Sequence, residues 1–375
     1  MKFRLLHPRQ ISDALWQEFA DLRDAQPLYD DPFFDPDFAR LVADVREDTR
    51  IGIVEQGSDL LGFWALHERA GGWARPIGGP FSDWHAPVLR SGTDLCPGDF
   101  LRGLDLSGFT GFGFMPTLEC TYPTMQRTGA HIADLSMGWE AYLATQQTYW
   151  PKHFKKMRRV YRKVEREFSE YSFAFDDKNE AHFEDLIQTK RAQYTQTGLH
   201  DVLKAEWARA LLDRLRHFQG ARLSARLSTL KFEGNIAASE FNLQSDTMLH
   251  GWLVTYKPGY SAYSPGHLVL HELFPSLVNA GLKAYDLGPG QASYKRNYTN
   301  LQLPIETGVI QGASSALSPI RAFGTMWRGG EKYFPNSVAH AMGRLRRRTD
   351  QIVLAEPELE GRLKGLWFAV QNRGL

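Results

Sequence analysis

The chain is poor in cysteine: Cys96 and Cys120 are the only two in 375 residues. Two thiols cannot build a disulfide framework, and no Cys-x-x-Cys spacing offers a zinc knuckle. A reducing, cytoplasmic setting is the expectation. No apolar run approaches the roughly 18 residues that span a bilayer. The opening stretch MKFRLLHPRQISDAL lacks the apolar core of a secretory signal. A dominant charge is missing too. Lys and Arg number 44 against 43 Asp and Glu, a net charge of +1, which argues against a globally basic nucleic-acid binder. No DNA partner is expected. A Gly-x-Ser-x-Gly elbow is absent, which excludes the usual serine hydrolase arrangement.

What is present is ordinary for a globular protein, 43% hydrophobic and 23% charged. The length suits two domains, or one with an appendage. Ser12 to Arg23 reads as a helix burying Leu15, Trp16, Phe19 and Leu22. Asp35-Pro36 caps a second helix. A hairpin follows, Arg50 to Glu55 and Leu60 to His67. In the other half, two amphipathic helices, Glu180 to Thr197 and Lys204 to Phe218, precede the strands Leu223 to Phe232 and Ile236 to Leu243. Both halves thus read helix–helix–hairpin with a glycine turn, a weak internal repeat. The boundaries expected are 1–150, 151–312 and a tail, 313–375, whose final helix runs from Pro357 to Val370.

The richest stretch is Thr247 to Tyr298. It reads as a strand from Met248 to Tyr256, then a helix with Ser264 as N-cap and Pro265 in its first turn. Gly281 stops that helix. A second strand, Leu282 to Leu287, runs into Asp286-Leu-Gly-Pro-Gly290. A helix N-terminus so placed offers free N–H groups to a pyrophosphate. Before this stretch lies a strongly basic helix. Between Lys152 and Arg166 stand eight Lys or Arg and one acid.

The segments DPFFDPDF, PIGGPFSDWHAPVL, KKMRRVYRKVER, TKRAQYTQTG, SPGHLVLHEL and AYDLGPGQASYKRNY resemble, in this order, the CelD/BcsL-like acyltransferases of the FemAB-like double-GNAT superfamily. The resemblance covers about residue 30 to residue 300 and leaves the tail out. It implies an α/β fold of two tandem GNAT-like domains, each a mixed β-sheet flanked by helices, with a helical C-terminal tail. It also implies transfer of an acyl group to a sugar or amine, in exopolysaccharide, cellulose or adhesin synthesis. Acetyl-CoA or another acyl-CoA is the implied donor. The acceptor is a sugar, lipid-linked or carried on a nucleotide. The chain departs from the simple GNAT pyrophosphate pattern, because only Ser264-Pro-Gly266-His stands at the helix start. Alternatives are a Fem-like ligase using aminoacyl-tRNA, and a non-catalytic regulatory pair in a polysaccharide synthase.

Lys295, after the glycine turn, is the expected oxyanion stabiliser. Asp286 orients it or acts as base, and Tyr294 protonates the leaving thiolate. Glu240 and His250, on neighbouring strands, are expected to share one face and converge on the cleft as proton acceptors. Ser264, Gly266, His267, Leu268 and Val269 are expected to bind the donor. Asp83, Trp84 and His85 are expected at the acceptor, with Trp84 stacking on a sugar. Arg158, Arg159 and Arg162 suit a phosphate of the acceptor. His267 and His271 stand at zinc spacing but lack further ligands, so no metal is expected. Arg344, Arg346, Arg347 and Arg348 suit a cyclic dinucleotide such as c-di-GMP, or the inner-membrane surface and its synthase.

Overall fold

The computed structural model describes residues 1–116, 120, 122, 125–290, 292–313, 348–349 and 351–371. Its first half contains β1 (Lys2–Leu6), α1 (Asp13–Asp24), α2 (Pro36–Ala43), β2 (Thr49–Gln56), β3 (Asp59–Arg69), β4 (Trp73–Pro76), β5 (Val88–Leu89), α3 (Pro97–Gly103), β6 (Gly108–Phe114), β7 (Gln126–Asp134) and α4 (Trp139–Tyr149). The second contains α5 (Pro151–Glu167), β8 (Tyr171–Ala174), α6 (Glu180–Gln196), α7 (Glu206–His217), β9 (Ser224–Phe232), β10 (Asn235–Gln244), β11 (Met248–Tyr256), α8 (Pro265–Asn279), β12 (Ala284–Pro289) and β13 (Leu301–Gln311). A last helix, α9, is Leu359–Gln371.

The fold is α/β, and one mixed sheet runs through both halves. Its order is β1-β2-β3-β4-β6-β13-β7-β12-β11-β10-β9-β8, with β5 beside β3. Read from either edge the pattern is the same: three antiparallel strands, a fourth, and a fifth parallel to it. The repeat seen in the sequence is therefore a repeat of structure. At the centre the halves exchange strands. β13 pairs with β6 of the first half, and β7 pairs with β12 of the second. The chain passes from its first half to its second near residue 150, but the sheet has no seam there.

Helices α1, α2, α6 and α7 cover one face, with Phe19, Phe38, Leu186 and Leu211 in a core that spans both halves. On the other face, α3 packs on the first half, and α4, α5 and α8 on the second. Each fully buried aliphatic or aromatic side chain contributes about 1.5–3 kcal/mol, and a core continuous across the halves couples their folding.

Three expectations change. Cys96 and Cys120 are joined in a disulfide. Such bonds persist in oxidising compartments, so cysteine no longer argues for a reducing one. Ser264 is left-handed, with φ 50° and ψ 52°, and its side chain makes no capping bond. Pro265 still opens α8, and the Ser264 carbonyl accepts from the N–H of His267 at 2.9 Å. Strands β7 and β13 were not anticipated at all.

Candidate functional site

The parallel strands β11 and β12 pair only over Met248–His250 and Ala284–Asp286. Beyond that they diverge, and the sheet opens as a wedge. Side chains at its apex come from both halves. His250 is fully buried; its Nδ1 lies 3.0 Å from Asp286 Oδ2 and 3.3 Å from Asp31 Oδ2, and its Nε2 lies 3.1 Å from Asp83 Oδ2. Asp286 also accepts from Trp84 Nε1 and, at 2.6 Å, from the Gly288 N–H. Burial works against a charged imidazole, but Asp286, Asp31 and Asp83 outweigh it and raise the His250 pKa well above its ordinary value. Burial also pushes the Asp286 carboxyl up, yet His250, Trp84 and Gly288 bring it below its usual value. Asp31 goes the other way: burial dominates and raises it.

Asp83 is the member of this chain that reaches the surface, its side chain 28% exposed. It lines a cavity of about 160 Å³ with Phe81, Lys190, Tyr194, His200 and Trp252. Lys190 Nζ donates to the Val254 carbonyl at 3.1 Å and lies 5.5 Å from the Tyr194 ring centre. Burial lowers its pKa, and among the described residues no carboxylate pairs with it.

Lys295 is buried where β12 ends. Its Nζ donates to the carbonyls of Gly288 at 3.2 Å and Pro289 at 2.6 Å. The lysine thus staples the glycine turn. Burial lowers its pKa, against the pull of Asp83 and Asp286.

Glu240 does not join His250. The β10–β11 register pairs Leu243 with His250 but Phe241 with Leu253, so β11 carries one extra residue between them. Leu243 thus shares the face of His250, and Glu240, three residues before it on a stretch of β10 without a bulge, points to the other face. Glu240 therefore faces α8, where it accepts from Tyr285 Oη at 2.9 Å, and burial raises its pKa to about 7. Tyr294, 39% exposed, is pushed up to about 12 by desolvation of its hydroxyl and then by Glu240.

The other candidates separate. Trp84 is 3% exposed and spends its N–H on Asp286, so it is no platform for a sugar. His85 is buried against Phe109 and Phe112, with Nε2 on the Ser82 carbonyl, and burial drives it down to about 4. Leu268 and Val269 are fully buried in the α5–α8 core and can offer a donor only backbone. Gly266 faces open space. His267 Nδ1 lies 2.9 Å from Tyr298 Oη, which also meets His153 Nε2 at 3.1 Å. His271 sits among Trp139, Phe154 and Tyr298, away from any metal set. Among the described residues, Asp31, His250 and Asp286 are the group whose ligand atoms, all within 4.8 Å of one another, could hold a cation. Arg158, Arg159 and Arg162 are exposed on the outer side of α5 and do not reach the cavity. Arg344, Arg346 and Arg347 lie outside the described residues, and Arg348 is buried. Sequence reasoning missed Asp31 and Lys190. Asp31 precedes a proline, the form of an ordinary cap, and nothing local set it apart.

Residues 151–296 match the family model described as an acetyltransferase (GNAT) domain. On this match the second half carries an acyltransferase domain, and the protein is an enzyme of that type. No curated protein matches the chain. Among solved structures, the chain is similar to a tandem GNAT protein from the clavulanic acid biosynthesis pathway, at 10% identity and TM-score 0.47, covering 84% of this chain and 99% of that one. It is similar to FemX at 10% identity and TM-score 0.47, covering 82% and 96%. It is also similar to the C-terminal domain of a putative lysylphosphatidylglycerol synthetase from Agrobacterium fabrum, at 13% identity and TM-score 0.46, covering 80% and 93%.

Proposed function

We propose that the protein transfers an acyl group from acyl-CoA to a sugar or amino sugar of surface-polysaccharide synthesis. The observation that supports this best is the place of Asp83. Its carboxylate lines the cavity, receives His250 and lies against Gly288, where a Cβ would stand 3.1 Å from Oδ2. It therefore borders both the cavity and the apex of the wedge.

In this reading the donor enters the wedge. The free edge of β11 beyond His250 offers backbone groups to its amides, and the α8 N-terminus receives its pyrophosphate beside Gly266 and His267. The acceptor fills the cavity, against Tyr194 and Trp252, with an anionic group on Lys190. Its amine or hydroxyl attacks the thioester carbonyl, Asp83 takes the proton, and CoA leaves as the thiolate. His250, held cationic by Asp286 and Asp31, fixes Asp83 in place. Lys295 keeps the turn at Gly288 in register.

Calorimetric titration with acetyl-CoA tests the donor. Saturable binding is expected, weakened by Gly266→Trp, which projects into open space and leaves the fold alone. Asp83→Asn is expected to lower turnover about a hundredfold while acetyl-CoA affinity stays unchanged. Binding of charged tRNA without binding of acetyl-CoA would replace this reading with a Fem-like ligase.

A further inference from the structure

Helix α5 is fixed on one side and bare on the other. Phe154, Met157, Val160 and Val164 are buried against α8, β9 and β10. Opposite them, Lys152, Lys155, Lys156, Arg158, Arg159 and Arg162 are all exposed. At 100° per residue these six fall within an arc of about 160°. No acidic side chain pairs with any of them among the described residues; the ion pairs of this helix involve only Lys163 and Arg166, both with Glu167. Lys152–Lys156, Lys155–Arg159 and Arg158–Arg162 are like charges four residues apart, an arrangement that destabilises a helix. A solvated face would gain from interspersed acids, and this one has none. Directly before the helix, Tyr149 is 72% and Trp150 37% exposed.

We propose that this face docks on an anionic lipid surface, with the six cations on the headgroups and Tyr149 and Trp150 at the polar–apolar boundary. A straight row of cations along a helix about 25 Å long matches a plane, and aromatic side chains gathered at one end match an interfacial anchor. A polynucleotide is the lesser fit. The net charge of +1 means the rest of the molecule balances this row with acids, which a long polyanion would meet and a surface touching one side would not. The α8 N-terminus lies on the same side of the molecule as α5, where His267 Nδ1 and His153 Nε2 of α5 both meet Tyr298 Oη, at 2.9 and 3.1 Å.

Sedimentation of the full chain with vesicles tests this. We expect binding to phosphatidylcholine mixed with phosphatidylglycerol, and none to phosphatidylcholine alone. Binding should vanish in high salt, where screening shortens to about 3 Å. The triple substitution Lys155→Glu, Arg158→Glu, Arg162→Glu should weaken it about a hundredfold or more with the circular dichroism spectrum unchanged. The neutral set Lys155→Gln, Arg158→Gln, Arg162→Gln should give an intermediate loss, and serves if the charge reversal fails to fold. Trp150→Ala should give a smaller one. Equal binding to both vesicles, no binding to either, or binding that survives the substituted helix would overturn the proposal. Retention of mixed transfer RNA without vesicle binding would assign the face to a polynucleotide instead.

Discussion

The two halves build the same unit and use it differently. Each ends in a parallel pair that separates after a few residues: β4 with β6 over Trp73–Ala74 and Gly108–Phe109, and β11 with β12 over three residues. In the first half the gap is filled by the chain itself. The loop carrying Asp83, Trp84 and His85 runs in beside β6, where the His85 N–H bonds the Gly113 carbonyl at 3.0 Å and its carbonyl accepts from Met115 at 2.8 Å. In the second half no segment takes that place among the described residues, and the wedge stays open. The plugging loop also delivers Asp83 and Trp84 to the open wedge of its twin. The first half closes its own gap and sends two side chains to the gap of the second, which makes the second half the place to test for donor binding.

His250 is where this dependence can be broken most severely. It holds Asp83 and Asp31 of one half and Asp286 of the other. His250→Ala leaves buried carboxylates without their cation, and stability should fall by about 3–5 kcal/mol, read as the denaturation midpoint. Because the folded pKa is raised, the stabilisation from His250 is fully present below the unfolded value of about 6.5. It is lost as pH rises through the folded value. The deficit of the variant should therefore shrink in alkaline buffer. A deficit that does not change with pH would mean His250 is held neutral and the halves are joined by packing alone.

The sequence carried most of this unit and missed the parts that interlock the copies. Helix caps at Ser12 and Asp35, the glycine turns and the alternation of β9, β10 and β11 are local signals, and those elements are present. β13 contains Pro304 and Gly308, and β7 opens with Gln-Arg-Thr-Gly. Both compositions argue against a strand. They extend because each is gripped on both sides by strands of the sheet, a constraint invisible in any local window. The same limit governs the site. Asp83, His250, Asp286 and Lys295 could be picked as candidates by residue type and place. Asp31 could not, and the register that sets Leu243 opposite His250, and so turns Glu240 to the other face, is a pairing between strands that neither strand's own alternation reveals.

Glu240 sharpens the comparison on the other face. β3 buries Phe63, Trp64 and Leu66 in the first half, whereas β10 buries an acid. With the folded pKa raised to about 7, the native state holds a proton that the unfolded chain releases near its ordinary 4.5. Stability from this residue is fully present below about pH 4.5 and is lost as pH rises toward 7, on the order of 3 kcal/mol in total. Glu240→Gln keeps an acceptor for Tyr285 and should remove that slope. Melting curves from pH 4 to 8 would show the wild type losing ground on the variant as pH rises. Parallel curves would mean that Glu240 stays ionised and that the α8 side of the sheet is more polar than its burial indicates.

The smallest effect separates the histidines of α8 from His250 across the sheet. His271 is driven down to about 3 by burial, then by His153 and His267, and its Nε2 is buried without a hydrogen bond among the described residues. A histidine with a lowered folded pKa stabilises in the opposite sense from His250. Its contribution is present above the unfolded value of about 6.5 and is lost as pH falls, because the unfolded chain takes up a proton that the folded one refuses. His271→Leu removes that acid sensitivity and the unsatisfied nitrogen together, at the cost of some ring packing against Tyr298. A gain of about 1 kcal/mol is expected at neutral pH, with a larger gain near pH 5. A loss at both would show that the imidazole has a hydrogen-bonding partner in solution, and would move His271 from the packing of α8 to the proposed donor site at the start of that helix.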